Sequence, residues 1–407
     1  MRVIISAYNC SPYKGSEDAL GWNSAYATAT ANYEVIVITR DVIRKEIYEY
    51  INNNKEDTIL NRMTFKFIKT PNSLKNFKNH VAQLIKYRIF QRRVIKVVKN
   101  IEKSKKVDYI HHVSWASMMR KLFLYKAKSP VILGPVGGGE STPSVMLKNF
   151  TKINQLKEII RKTLAQISVR SRWFDKVCKK SSVIFVTTEE SYNIIPDKYQ
   201  KKTFIMQGIG VRDDEILHLP AKRANNAFKV IMVGRLIYWK GIDLGIKAVS
   251  KLVKKGLNIE LHIYGDGKEI NKLINLSSDM IDSNIFFHGN ISRNKLLNEY
   301  NTSSVLLNTS LHDSGCMVIL EAMSKGVPII HLDVGGPKTL TTESCAIKIP
   351  VNEPQFTVNE ISNSIEKLYI NRQALFKMGA NAIERVQNNF EYSRKFFLME
   401  KIIKKHL

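Results

Sequence analysis

No stretch of the 407-residue chain approaches the roughly 18–20 consecutive apolar residues that a membrane-spanning helix needs. The apolar run in the N-terminal MRVIISAYNC lasts only about five residues, so a secretory leader is not expected. Cysteine is scarce: Cys10, Cys178, Cys316 and Cys345 stand alone, with no CxxC pair. This argues against a zinc ribbon or a disulfide framework and suits a reducing cytoplasm. There is no low-complexity tract, no short-period repeat and no paired-aspartate motif for a metal. Acid is in deficit, with 36 Asp and Glu against 63 Lys and Arg, a formal net charge of +27.

That excess is unevenly placed. Residues 74–106 hold eleven Lys or Arg against one acid, Glu102, and residues 148–180 hold ten against two, Glu158 and Asp175. Charge concentrated in this way marks a surface that meets polyanions: anionic lipid, nucleic acid or a phosphorylated substrate. Hydrophobic residues make up 44% of the chain, which is ordinary for a globular protein and enough for two cores.

Short apolar runs ending in Gly or polar loops alternate with helical stretches. VIISAY, YEVIVITR, VDYIHHVSW, SPVILGPVGGG and SSVIFVTTEES read as strands of one parallel sheet, with GSEDALGWNSAYATATA as a helix between the first two. The pattern restarts at FKVIMVGRL and continues through IELHIYGDG, NIFFHGN, SSVLLNTS, VPIIHLDVGG and SCAIKIP. The expected fold is α/β, with two Rossmann-like doubly wound parallel-sheet domains facing a cleft. The expected domains are residues 1–205 and 206–390, joined by a linker within 205–227. Residues 391–407 would form a last helix free to return to the N-terminal domain.

In such sheets ligands sit beyond the carboxyl ends of the strands. The richest stretch there is LHDSGCMVILEAMSKGVPIIHLDVGGP. A helix starting near Gly315 would offer its free N–H groups and dipole to an anion. Asp313 and Glu321, eight residues apart, would then lie about 12 Å apart along the axis, close to the span from a sugar over a diphosphate to a ribose. The alternative is an N-cap Asp and a solvated helical Glu. In VGRLIYWKG, Arg235 and Lys240 follow Gly234 on a loop closed by Gly241. Two fixed cations there would stabilise a departing diphosphate, although a lone Arg and Lys on a loop are ordinary surface residues.

The order and spacing of GRL…KG, IYGDG, FHGNI and the Asp313–Glu321 helix, over residues 228–340, resemble family-four retaining glycosyltransferases of the GT-B fold. CSPYKGSEDALGW and GPVGGGE resemble N-terminal motifs of bacterial capsule and O-antigen polysaccharide transferases in that family. The resemblance implies a retaining transferase of hexosyl type that moves a sugar from a UDP- or GDP-linked donor to a lipid-linked or glycan acceptor. Arg235 and Lys240 match the family's diphosphate-binding pair, Glu321 its ribose-binding acid, and Asp313 the usual Glu that contacts the sugar. Backbone from Ser314 through Gly315 and Cys316 to Met317 would lie against sugar and phosphate. Gly15 and Ser16 match the glycine-rich loop that faces the phosphate. Two departures stand out. Asp313 is one methylene shorter than Glu, and the position where many members carry a histidine is Gly134. Glu140, His111 and His112 are the acceptor-side candidates, the two histidines competing with a reading as satisfied strand residues. No catalytic metal and no cofactor beyond the nucleotide-sugar are implied.

The two basic stretches read as amphipathic helices. Phe90, Val94, Val97 and Ile101 recur at helical spacing in one, and Ile153, Leu156, Ile160, Leu164 and Ile167 in the other. Both stripes are expected to face the core. The charge is expected to rest the protein on the anionic inner face of the cell membrane. No zinc-finger spacing, RNP-like strand or helix-turn-helix supports nucleic acid as a partner, though a basic nucleic-acid-binding protein is the alternative from another class. An epimerase or phosphorylase on the same fold is the alternative enzyme.

Overall fold

The structure is a computed structural model that describes residues 1–71, 79–220 and 227–407. The side chains of Ser16 and His80 also lie outside the description, as do residues 74–78 of the first basic stretch and 221–226 of the expected linker.

The described chain forms two parallel sheets. The first contains β1 (Arg2–Ala7), β2 (Glu34–Arg40), β3 (Met63–Ile68), β4 (Tyr109–Ser114), β5 (Val131–Val136), β6 (Ser181–Val186) and β7 (Thr203–Ile205), in the order β3-β2-β1-β4-β5-β6-β7. The second contains β8 (Phe228–Val233), β9 (Ile259–Tyr264), β10 (Ile285–Gly289), β11 (Val305–Asn308), β12 (Ile329–Leu332) and β13 (Ala346–Ile349), in the order β10-β9-β8-β11-β12-β13. Both are doubly wound, as expected from the sequence. The sequence reading did not single out β3 or β7: MTFKFI mixes polar and apolar residues, and β7 is three residues long.

Strand alternation fixes the layers. Ile4 of β1 and Ile36 of β2 point to one face, where Phe90, Val94 and Val98 of the His80–Ser104 helix cover them. Val3, Ile5 and Val35 point to the other, under Trp22, Ala25 and Ala29 of the Ser16–Thr30 helix. Met399 and Ile403 of the Tyr392–His406 helix join that second layer. In the second sheet, Val230, Met232, Leu261 and Ile263 pack with Ile246, Val249 and Leu252 of the Ile242–Lys254 helix.

The chain separates into two compact units, Met1–Gly139 with Lys162–Ile209 and Tyr392–Leu407, and Glu140–Arg161 with Gly210–Glu391. Chain order had placed residues 140–161 with the first domain. Their contacts place them with the second: Met146 enters its core, and the Phe150 ring meets Tyr238 edge-on at 4.9 Å.

The two basic helices part company. Phe90 and Val94 are buried and Val97 and Ile101 pack against the core, as expected. In the Lys152–Val169 helix the expectation fails, because Ile153, Leu156, Ile160, Leu164 and Ile167 are all exposed. That helix buries Glu158, Ala165 and Val169 instead. Those three lie about 120–180° around the helix from the centre of the aliphatic stripe.

Candidate functional site

The loops after β8 and β11 come from neighbouring strands, with Val230 opposite Val305. After β8, Gly234 (φ +150°) donates its N–H to the Tyr264 carbonyl at 2.9 Å, and Arg235 stands exposed. A short turn over Tyr238–Lys240 leads to Gly241, which is left-handed at φ +61° and starts the Ile242–Lys254 helix. A Cβ on Gly241 would lie 2.5 Å from the Thr309 carbonyl oxygen, so the two loops touch only because this residue has no side chain. Thr309 Oγ1 donates to the Lys240 carbonyl at 2.9 Å, and the Leu311 N–H donates to the Trp239 carbonyl at 2.8 Å.

This seam sets the charges. Lys240 Nζ donates to Asp313 Oδ2 at 2.5 Å, and Ser310 Oγ donates to the same oxygen at 2.9 Å. Burial works against the Lys240 charge, but the Asp313 carboxylate outweighs it and holds the pKa above the ordinary lysine value. The Arg235 guanidinium lies 5.6 Å from the centre of the Trp239 ring, which stacks on His312 at 5.2 Å and 17°. Arg235, Lys240 and Asp313 are therefore brought together.

The helix that carries Glu321 spans Met317–Ser324, so it starts two residues later than Gly315. The delay has a cause in the segment that follows β12. The Gly336 N–H donates to the Asp313 carbonyl at 2.6 Å, and a Cβ on Gly335 would stand 2.5 Å from that same oxygen. Residue 313 is thus tied to the DVGGP turn, and Cys316 is extended at φ 173°. The axial spacing of about 12 Å expected for a continuous helix does not apply, because Asp313 lies on the loop. Ser314 and Gly315 lie on this loop, and Cys316 is the N-cap without a side-chain cap, so the first helical N–H groups have no side-chain acceptor from it. Burial pushes the Cys316 thiol up to about 12, which keeps it protonated.

Glu321 is buried one turn into that helix and accepts from Arg293 Nε at 2.7 Å. Arg293 Nη1 also donates to Glu215 at 2.6 Å. Burial raises the Glu321 pKa, with Arg293 opposing it. The sequence reading missed Arg293 and Glu215; both are far along the chain from Glu321.

It also missed the support beneath His312. Glu158 Oε1 accepts from Tyr238 Oη at 2.9 Å and contacts His312 Nε2 at 3.3 Å, while Oε2 takes Thr142 Oγ1 at 2.8 Å and Arg161 at 3.2 Å. Burial would raise this carboxyl, but the bond and charge of His312, then Thr142 and Arg161, bring it down to about 2. The one sequence signal was its isolation: Glu158 and Asp175 are the two acids among ten bases.

The remaining candidates lie on other loops and strands. Gly15 is the N-cap of the Ser16–Thr30 helix at φ −98°, a conformation that does not itself require glycine. The Ser16 side chain lies outside the described residues. His111 and His112 are buried in β4, where burial lowers them to about 4 and about 3. His111 Nε2 meets the Gly134 carbonyl at 2.8 Å; His112 meets Ser6 at 3.2 Å and Tyr87 at 3.0 Å. Both are satisfied strand residues, buried away from any acceptor, contrary to the acceptor-side expectation. Gly134 is left-handed at φ +103°, and a Cβ there would run into the Phe185 carbonyl oxygen, so no histidine fits. Glu140 is buried at the end of the Gly137–Gly139 turn. Among the described residues no group of three His, Cys, Asp or Glu is placed to hold a metal ion, and no helix is long and apolar enough to cross a membrane.

Residues 214–385 match the family model described as glycosyl transferases group 1. Protein CapJ of Staphylococcus aureus is 31% identical over 113 residues, which is 27% of this chain and 29% of CapJ. The matched parts cover 29% to 62% of the first three curated relatives' own lengths. Two solved structures align with the whole of this chain over their own full lengths, each with TM-score 0.63. They are the lipopolysaccharide outer core galactosyltransferase WaaB, 15% identical, and Anabaena HepE in complex with UDP, 14% identical. The fold is GT-B.

Proposed function

We propose that this GT-B chain, with its group 1 glycosyltransferase segment at residues 214–385, is a retaining glycosyltransferase of bacterial surface-glycan synthesis. It would move a hexosyl group from a UDP- or GDP-linked donor to a lipid-linked or polysaccharide acceptor, at the inner face of the cell membrane and without a catalytic metal. Likeness to a lipopolysaccharide galactosyltransferase and to a UDP-bound protein supports the class of acceptor and donor. The observation that carries the reading is the Lys240–Asp313 pair beside exposed Arg235 and the start of the Met317–Ser324 helix.

Arg235, Lys240 and the helix start would hold the diphosphate. They gain most as the bond between sugar C1 and phosphate oxygen breaks and charge builds on the leaving group. The acceptor oxygen bonds to C1 from the same face, and its proton passes to the departing phosphate, so no protein base is needed where Gly134 admits no side chain. Both bonds to Asp313 fall on Oδ2. Lys240 and Ser310 would thereby fix the carboxylate through Oδ2 and leave Oδ1 to accept from the donor sugar's hydroxyls. Glu321 would accept from the ribose, sharing its charge with Arg293.

The test is turnover of a UDP- and GDP-sugar panel, with thermal stabilisation by the free diphosphates. Arg235→Ala should lower transfer by about 10²–10³-fold with an unchanged melting temperature. Full turnover in Arg235→Ala and in Lys240→Met would remove the diphosphate assignment.

A further inference from the structure

The Lys152–Val169 helix carries an aliphatic face that the fold does not use. Ile153, Leu156, Ile159, Ile160, Leu164 and Ile167 are each between 48% and 68% exposed. At 100° per residue they form one stripe along about 21 Å of helix. The residues the helix buries, Glu158, Ala165 and Val169, lie on the far side from it. An ordinary surface helix does the reverse and turns its aliphatic stripe inward.

The charges beside the stripe have one sign. Lys152 and Lys157 flank it and are exposed, Lys162 is exposed on the opposite side of the helix, and Arg170 follows at the C-terminal end. The helix has a single acid, Glu158, which is buried and bonded to Tyr238, Thr142 and Arg161. A stripe of large aliphatic residues whose flanking charges are all cations is the pattern of a helix lying in the interface of an anionic bilayer. A second copy of the chain is the poorer occupant. Two-fold pairing on this face would bring the same cations against themselves.

We infer that the Lys152–Val169 helix docks the protein on an anionic lipid surface, its aliphatic stripe entering the acyl boundary and its lysines meeting the headgroups. This deepens the reading of a lipid-linked acceptor and rests on it only for its purpose, since such an acceptor would be presented at that surface. The donor site plays no part in the docking.

The test uses the full chain and vesicles of phosphatidylcholine, alone or with about a third phosphatidylglycerol. The variant Leu156→Gln/Ile160→Gln/Leu164→Gln keeps the net charge and touches only exposed residues. Wild type should sediment with the anionic vesicles and not with pure phosphatidylcholine. The triple variant should lose at least about tenfold in partitioning, because three aliphatic side chains no longer leave water. Its thermal stabilisation by UDP or GDP should equal that of wild type, which separates failure of this surface from failure of the donor site. An Ile160→Trp reporter should shift to the blue on anionic vesicles. Equal partitioning of variant and wild type overturns the inference. So does a wild-type dimer in sedimentation velocity that the triple variant converts to monomer without any lipid dependence.

Discussion

The His80–Ser104 and Lys152–Val169 helices look alike as sequences: basic, amphipathic, with aliphatic residues every three or four positions. Their surroundings are opposite. The first lays Phe90, Val94 and Val98 on the first sheet. The second holds its stripe in solvent and buries a carboxylate. The Tyr392–His406 helix adds a third case, seating Met399 and Ile403 in a core while burying Lys395. Periodicity thus identifies a helix and a face. What covers the face is decided by residues far away in the chain.

The largest effect should come from the helix that follows the ordinary rule. Phe90 is buried and meets Tyr8 edge-on at 5.2 Å. Phe90→Ala removes a ring from a closed core and should cost about 3–5 kcal/mol in urea unfolding. A loss no larger than that of an exposed Ile→Gln change would erase the contrast between the two helices.

Lys395 gives the next effect. Its ammonium donates to the Gly208 and Ile209 carbonyls, and burial alone lowers its pKa to about 7. An unfolded lysine titrates near 10.5. Between these values the unfolded chain binds more protons than the folded one, so stability rises with pH. Below about 7 both states are protonated and the cost of the buried charge is complete. Relative to Lys395→Met, wild type should gain about 3 kcal/mol between roughly pH 7 and pH 9.5. Parallel pH profiles for the two proteins would show that Lys395 is not held in a dry site.

Much of the fold was readable because each central strand is a short apolar run ending at glycine or a polar loop. β8 through VGRL and β12 through DVGG show this, and both runs end beside the Asp313 loop. β3 and β7 were not readable: one alternates with polar residues, and the other is too short to carry a period. The loop cations and Asp313 were readable because a strand end followed by a glycine-closed turn restricts where side chains can go. The late helix start was not, since it depends on Gly335 and Gly336 packing against residues 313–315. Nor was the Glu158–His312 contact, which joins residues 154 apart. The exposed stripe was misread because amphipathicity alone does not say which side faces the protein.

The smallest effects lie within one helix, two residues apart. Glu158→Gln removes the charge that holds Arg161 and His312 and should cost about 1–3 kcal/mol near neutral pH. The folded carboxyl titrates at about 2 and the unfolded one at 4.5, so its contribution is complete above 4.5 and lost as pH falls toward 2. The variant and wild type should converge there. Under the proposed function, with His312 directly before Asp313, Glu158 is a positioning residue for the donor-binding loop, and the variant should raise the KM for donor more than it lowers kcat. Ile160→Gln, by contrast, should change unfolding free energy by less than about 0.5 kcal/mol, since that side chain packs against nothing the fold needs. A helix that tolerates loss of its isoleucine but not of its glutamate has its polar side inward. If Ile160→Gln proves the costlier change, the stripe is packed in solution and the contrast with the His80–Ser104 helix disappears.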